Sequence, residues 1–127
     1  MVERVEEKPK RKLLCVDDDA ETCEILSVAW GDLKYELTLA HTYAEAVTRA
    51  LDGTFDAILL DSRLPDGSGI DLCRQIREAD QQTPILFYSA DAHTAHIEEA
   101  LQAGATIYLT KPLAPDDVEK AIEQLLG

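Results

Sequence analysis

The stretch that decides the fold is Asp56-Ala57-Ile58-Leu59-Leu60-Asp61, followed by Ser62-Arg63-Leu64-Pro65-Asp66-Gly67-Ser68-Gly69. Four apolar residues stand between two aspartates. So short a run with no polar face reads as a strand buried on both sides, as in a parallel sheet. The Pro-Asp-Gly-Ser-Gly after it is turn chemistry. Three further runs have the same form. LLCV (13–16) leads into Asp17-Asp18, ILFY (85–88) into Ser89, and TIYLT (106–110) into Lys111. The alternating segment 35–40 reads as one more strand, at a sheet edge.

Helical patterns separate these strands. The first helix is expected from about Ala20 to Trp30, stopping at Gly31. Thr42 and Glu45 form a capping-box signature. The helix behind them should turn Tyr43, Ala46, Val47, Ala50 and Leu51 inward. A third helix should follow Gly69 to about Ala79. A fourth should place Ile97, Ala100, Leu101 and Gly104 on its inner face and end at Gly104. The fifth should open at Pro115, with Asp116 and Asp117 in its first turn and Val118, Ala121, Ile122 and Leu125 as its inner stripe. The expected fold is α/β, a (βα)5 doubly wound three-layer sandwich. Ligands of open α/β sheets sit beyond the carboxyl ends of the strands. Asp17, Asp18, Asp61, Ser89 and Lys111 are therefore expected to meet at one edge.

The chain has 127 residues, 46% of them hydrophobic, which fits one domain with a real core. A formal net charge of −13 makes nucleic acid a poor direct partner. Cys15, Cys23 and Cys73 sit in apolar patterns without a C-x-x-C motif, so they read as small core residues of a reducing compartment. No run has transmembrane length and no signal-peptide core follows the start, so a cytoplasmic protein with no membrane partner is expected. Residues 1–11 read as a loose charged tail, and 12–127 as the domain.

Two adjacent acids at a strand end repel each other unless they face solvent or a cation. Asp19 is expected to cap the first helix, leaving Asp17 and Asp18 to be explained. Mg²⁺ favours one or two carboxylates with several waters and a phosphate oxygen. Asp61 ends the most apolar strand and is expected to be the most buried acid, where a lone carboxylate is costly. A carboxylate can also attack phosphorus and form an acyl phosphate. Lys111 is the natural cation for that adduct, and Ser89 a hydroxyl donor. His93 and His96 are expected to be exposed helix residues, and Trp30 to pack.

The stretches LLCVDDDAETCEIL, DAILLDSRLPDGSGIDLCRQIR, PILFYSADA and GATIYLTKPL, in this order, resemble the receiver domain of bacterial two-component response regulators. The resemblance covers roughly residues 12 to 126. It implies a flavodoxin-like parallel sheet in the order 2-1-3-4-5. It implies Asp61 as phosphoacceptor. It also implies Mg²⁺, which Mn²⁺ can replace, held by Asp18 and Asp61, by Asp17 through water, and by the backbone carbonyl of Arg63. Ser89 with Ala90, Lys111 and Tyr108 would be the phosphate-binding and switch residues, and Lys111-Pro112 a cis peptide. Arg63 and Asp91 occupy positions that tune the chemistry, and their opposite charges could pair over the site.

The implied partners are a sensor histidine kinase or histidine phosphotransfer protein upstream, and an effector protein or domain downstream. The surface of the fourth helix, fifth strand and fifth helix would serve the latter, and a phosphorylation-dependent homodimer is compatible with the same reading. Two other readings compete. A Mg²⁺-dependent phosphatase of the haloacid dehalogenase type would use the Asp17-Asp18-Asp19 start as its D-x-D motif. A phosphate-independent scaffold would keep the fold without the chemistry.

Overall fold

Leu14, Val16, Ile58 and Leu60 pack into one hydrophobic cluster, while Leu13, Cys15, Ala57 and Leu59 pack into another. That period-2 alternation places a core on each face of one sheet. The computed structural model describes residues 10–127, without the side chains of residues 31–33. Strands β1 (Arg11–Val16), β2 (Tyr35–Ala40), β3 (Ala57–Leu60), β4 (Ile85–Ser89) and β5 (Ile107–Thr110) alternate with helices α1 (Ala20–Lys34), α2 (Tyr43–Asp52), α3 (Gly69–Ala79), α4 (Thr94–Gln102) and α5 (Pro115–Leu126). The sheet is parallel in the order β2-β1-β3-β4-β5, the expected flavodoxin-like topology.

Helices α1 and α5 cover one face through Cys23, Leu26, Trp30, Val118 and Ile122. Helices α2, α3 and α4 cover the other, with Ala46, Ile70, Leu72, Cys73, Ile76 and Ala100. All three cysteines are free and buried. Trp30 packs edge-on against Tyr35 and donates its indole N–H to the Pro115 carbonyl at 3.1 Å.

Several element boundaries differ from the sequence expectation. α1 runs through Gly31 to Lys34, whose ammonium meets Glu119 of α5 at 2.6 Å. A mid-helix glycine costs roughly 1 kcal/mol, which helix packing can outweigh. β1 opens at Arg11, because Arg11 and Lys12 pair with Tyr35 and Glu36. Lys10, ahead of it, is exposed and outside any element, and the rest of the expected tail, residues 1–9, lies outside the described residues.

Two leucines expected on inner faces are turned outward, Leu51 at 62% exposure and Leu101 at 44%. Each lies at the border of its apolar stripe, and Ala46 and Ala100 take the buried position. The capping box of α2 forms with a shift. The Thr42 hydroxyl accepts the Glu45 N–H at 3.1 Å, but Glu45 reaches back to the N–H of His41. α4 ends before Gly104, whose φ of +115° is strained for any residue with a side chain.

Candidate functional site

Sheet register turns sequence distance into proximity. Val16 pairs with Leu60, and the next N–H, of Asp61, donates to the Val16 carbonyl at 2.9 Å. Asp17 and Asp61 therefore leave adjacent strands side by side. Ser89 pairs with Thr110, and the Lys111 N–H donates to the Ser89 carbonyl at 2.8 Å. Four strand ends thus carry Asp17, Asp61, Ser89 and Lys111 to one edge. The Lys111-Pro112 peptide is cis.

One carboxylate oxygen from each of Asp17, Asp18 and Asp61 lies within 4.8 Å of the others. Lys111 Nζ is 2.8 Å from Asp17 Oδ2 and 3.8 Å from Asp61 Oδ2, over the Tyr88 ring. Burial alone would lower the lysine pKa. The hydrogen bond to Asp17 and the charges of Asp61 and Asp17 outweigh it and hold the ammonium above its ordinary value. For Asp61 the balance runs the other way. Burial, then the charge of Asp17, pushes its carboxyl above the usual range, against the pull of Lys111.

The three consecutive aspartates take three roles. Asp17, not Asp61, is the more buried acid. Its side chain is 4% exposed, and that of Asp61 14%. Asp17 tolerates this because both its oxygens are occupied. Oδ1 accepts the Asp19 N–H at 2.9 Å, and Oδ2 accepts from Lys111. Asp18 stands exposed at the rim. Asp19 caps α1, accepting the Glu21 N–H and the Thr22 hydroxyl, each at 3.0 Å. Asp61 is the least satisfied of the inner pair. Its Oδ1 accepts the Ser62 N–H at 2.7 Å, and its Oδ2 has only the more distant ammonium.

The segment after Asp61 is held closely. Arg63–Leu64 and Gly67–Ser68 form a short antiparallel ribbon. The Gly69 N–H then donates to the Ser62 carbonyl at 2.9 Å. A Cβ at Gly69 would collide with the Asp61 carbonyl oxygen, so this close approach requires glycine. Asp66, which sequence reasoning treated only as a turn residue, accepts the N–H groups of Tyr43 and Ala44 at 2.6 and 3.1 Å and fastens the ribbon to the start of α2.

Ser89 is 2% exposed. Its hydroxyl meets that of Ser62, itself 3% exposed, at 2.5 Å and accepts the Asp91 N–H at 3.2 Å. The Tyr108 phenol donates to the Asp91 carbonyl at 2.6 Å, and its ring stacks on Phe87. Sequence reasoning missed Ser62. The one available signal was strand alternation, which turns the residue after Asp61 away from the carboxylate side and into the protein.

The mouth of the site is an open cleft lined by Asp18, Asp61, Arg63, Ala90, His93 and Lys111. Arg63 and Asp91 do not pair. The Asp91 carboxylate accepts from the His93 ring at 2.7 Å and the His93 N–H at 3.1 Å, with the His96 ring 3.8 Å from its other oxygen. The His93 hydrogen bonds hold the Asp91 carboxyl below its ordinary range.

The histidines are not the matched exposed pair expected. The His93 side chain is 88% exposed. That of His96 is 21% exposed, set edge-on to Tyr108, with Nε2 buried and unpartnered. α4 begins only at Thr94, so the His93 ring folds back onto Asp91 while His96 lies on the inner turn.

Comparison with known proteins agrees with this geometry. The family model described as the response regulator receiver domain matches residues 13–123. The transcriptional regulatory protein ResD of Bacillus subtilis (strain 168) is 35% identical over 115 residues, covering 91% of this chain and 48% of its own length. The response regulator protein PilR of Pseudomonas aeruginosa is 38% identical over 104 residues, covering 82% and 23%. The chain thus spans about half, or less, of the length of the curated relatives it matches. Among solved structures, a two-component response regulator from Clostridium difficile superposes with a TM-score of 0.87 at 28% identity, covering 92% of this chain and 96% of that one. The chemotaxis response regulator CheY4 of Vibrio cholerae gives 0.85 at 28%, covering 92% and 99%. No helix of the described residues is long and apolar enough to cross a membrane.

Proposed function

The chain belongs to the receiver-domain family of two-component response regulators, and on that premise we propose that Asp61 is its phosphoryl acceptor. The observation that carries the proposal is the carboxylate cluster with one ammonium, in which Asp61 is the less satisfied of the two inner acids. A carboxylate oxygen of Asp61 attacks the phosphorus of a phosphohistidine on a sensor kinase or phosphotransfer protein. The O–P bond forms, the P–N bond breaks, and the imidazole leaves. Lys111, already 3.8 Å from Asp61, pairs with the new phosphoryl oxygens, and Ser89 donates to another.

Asp18, Asp61 and the Arg63 carbonyl supply hard oxygen donors of the kind Mg²⁺ takes, and Asp17, with both oxygens engaged, fits a part through water. Bound there, Mg²⁺ offsets the charge that gathers on the transferring phosphoryl group. Mn²⁺ shares the preference for oxygen and should replace it. Water later hydrolyses the acyl phosphate at the open mouth, so the chain returns to rest by its own chemistry and acts on no other substrate.

The output surface in this reading is α4-β5-α5, reached from Ser89 through Tyr108 and offered to an effector domain, a separate protein or a second copy of the chain. The setting is the cytoplasm, with neither nucleic acid nor membrane as a direct partner of this domain. The phosphatase alternative would need Asp17 as nucleophile. Both oxygens of Asp17 are taken, and the relatives are response regulators.

Treatment with acetyl phosphate and Mg²⁺ should add one phosphoryl group, labile to hydroxylamine. Asp61→Asn should abolish the gain. Unchanged, hydroxylamine-resistant labelling in Asp61→Asn would remove the assignment and favour a phosphate-independent scaffold.

A further inference from the structure

We propose that Ser62 is a latch. Its buried hydroxyl holds Ser89 in the resting position and sets how much phosphoryl binding energy is needed to release it. The inference rests on the reading above, in which Ser89 turns toward a phosphoryl group on Asp61.

Ser62 and Ser89 come from neighbouring strand ends and are both closed to solvent, at 3% and 2% exposure. Their oxygens are 2.5 Å apart, and Ser89 is the only side-chain partner of the Ser62 hydroxyl among the described residues. The Ser89 oxygen also accepts the Asp91 N–H. Asp91 in turn offers its carbonyl to Tyr108. Ser62, Ser89, Asp91 and Tyr108 therefore form one continuous hydrogen-bonded chain, and Ser62 is its terminus beside Asp61.

A hydroxyl has one proton to donate. In the resting chain the side-chain oxygen hydrogen-bonded to the Ser89 hydroxyl is that of Ser62. For Ser89 to donate to a phosphoryl oxygen it must give up that bond, at a point where both serines are almost closed to solvent. Whichever of the two hydroxyls donates, phosphoryl binding and the Ser62–Ser89 bond therefore compete for the Ser89 hydroxyl. Deleting the Ser62 oxygen leaves Ser89 at rest with only the Asp91 N–H, while the phosphoryl group still provides a second partner when bound. Losing a partner raises the energy of a buried polar group, so the resting state is the one that suffers. The latch also explains why a small polar residue serves at this position, packed against the close approach of Gly69.

The test is titration with beryllofluoride in excess Mg²⁺, following the Tyr108 ring and the Ser89 amide by NMR. In Ser62→Ala the half-saturating concentration should fall about two- to tenfold, the range of one neutral hydrogen bond. Ser62→Cys, close in volume but a weaker hydrogen-bonding group, should move it the same way. In a Ser89→Ala background the Ser62→Ala effect should disappear. A general packing role for Ser62 would leave the effect in place, so persistence overturns the latch. So does an unchanged or raised half-saturation in Ser62→Ala. If Ser89→Ala alone binds beryllofluoride and shifts Tyr108 as the wild type does, the role of Ser89 itself has failed, and the latch with it. Impairment by Ser89→Ala with no effect of Ser62→Ala removes only the latch.

Discussion

At the ends of β1 and β3, three carboxylates cluster, and one ammonium reaches two of them, Asp17 and Asp61. At the ends of β3, β4 and β5, the hydroxyls of Ser62, Ser89 and Tyr108 each have a hydrogen bond. The two clusters meet between Asp61 and Ser62, adjacent residues whose side chains serve opposite halves. The acidic half is short of positive charge, so it gains from any cation or electrophile that enters. The hydroxyl half is saturated, so it gains nothing until a bond is broken and a new acceptor arrives. A site that joins an unsatisfied half to a saturated one can take up a ligand easily and still respond to it in a switch-like way.

The sharpest way to break this contrast is to neutralise the acidic half in metal-free buffer. The folded-state pKa of Asp61 is raised, by burial first and Asp17 second. A raised carboxyl keeps its proton more readily folded than unfolded. Its contribution to stability is therefore full below the ordinary carboxyl range and is lost as pH rises through the folded pKa. Asp61→Asn should then stabilise the metal-free protein at neutral pH. The gain should shrink toward zero on acidification below the ordinary range. Denaturant melts at the two pH values check both signs. A destabilised Asp61→Asn at neutral pH would mean that the carboxylate is already satisfied.

Asp18→Ala removes a charge at the solvent-screened rim, so its effect should be smaller, a rise of about 1–3 °C in metal-free melting temperature. It should also weaken Mg²⁺ binding, read by the loss of metal-induced stabilisation. A fall in metal-free melting temperature would assign Asp18 a structural part instead.

Much of this contrast was legible before any coordinates. Strand-end position picked out Asp17, Asp18, Asp61, Ser89 and Lys111, because apolar runs mark buried strands and a parallel sheet puts their ends together. The order of burial between Asp17 and Asp61 was not legible. It depends on which carboxylate the lysine reaches, and that is set by side-chain geometry rather than by strand hydrophobicity. Ser62 was hidden for a related reason, since a serine after a strand looks like a loop residue until a second hydroxyl is found beneath it. Leu51 and Leu101 turn outward because each lies at the border of its helical stripe, where apolar spacing alone does not fix the face.

The smallest effect concerns the mouth. Asp91 is held by His93 and does not pair with Arg63, so the two residues should act independently on phosphate lifetime. Dephosphorylation rates of Arg63→Ala, Asp91→Ala and the double variant should combine additively on a logarithmic scale, within about twofold. A clear excess in the double variant would show that the pair forms once the phosphoryl group is present.

The most direct test of the division into a binding half and a responding half is an amide chemical-shift map with and without beryllofluoride in Mg²⁺. Shifts should pass from Asp61 through Ser62 into Ser89–Pro115, with the Tyr108 ring among the largest, and should leave the bodies of α1 and α2 nearly unchanged. Shifts confined to the loops bearing Asp17, Asp18, Asp61 and Arg63 would contradict it, because the hydroxyl half would then be inert packing.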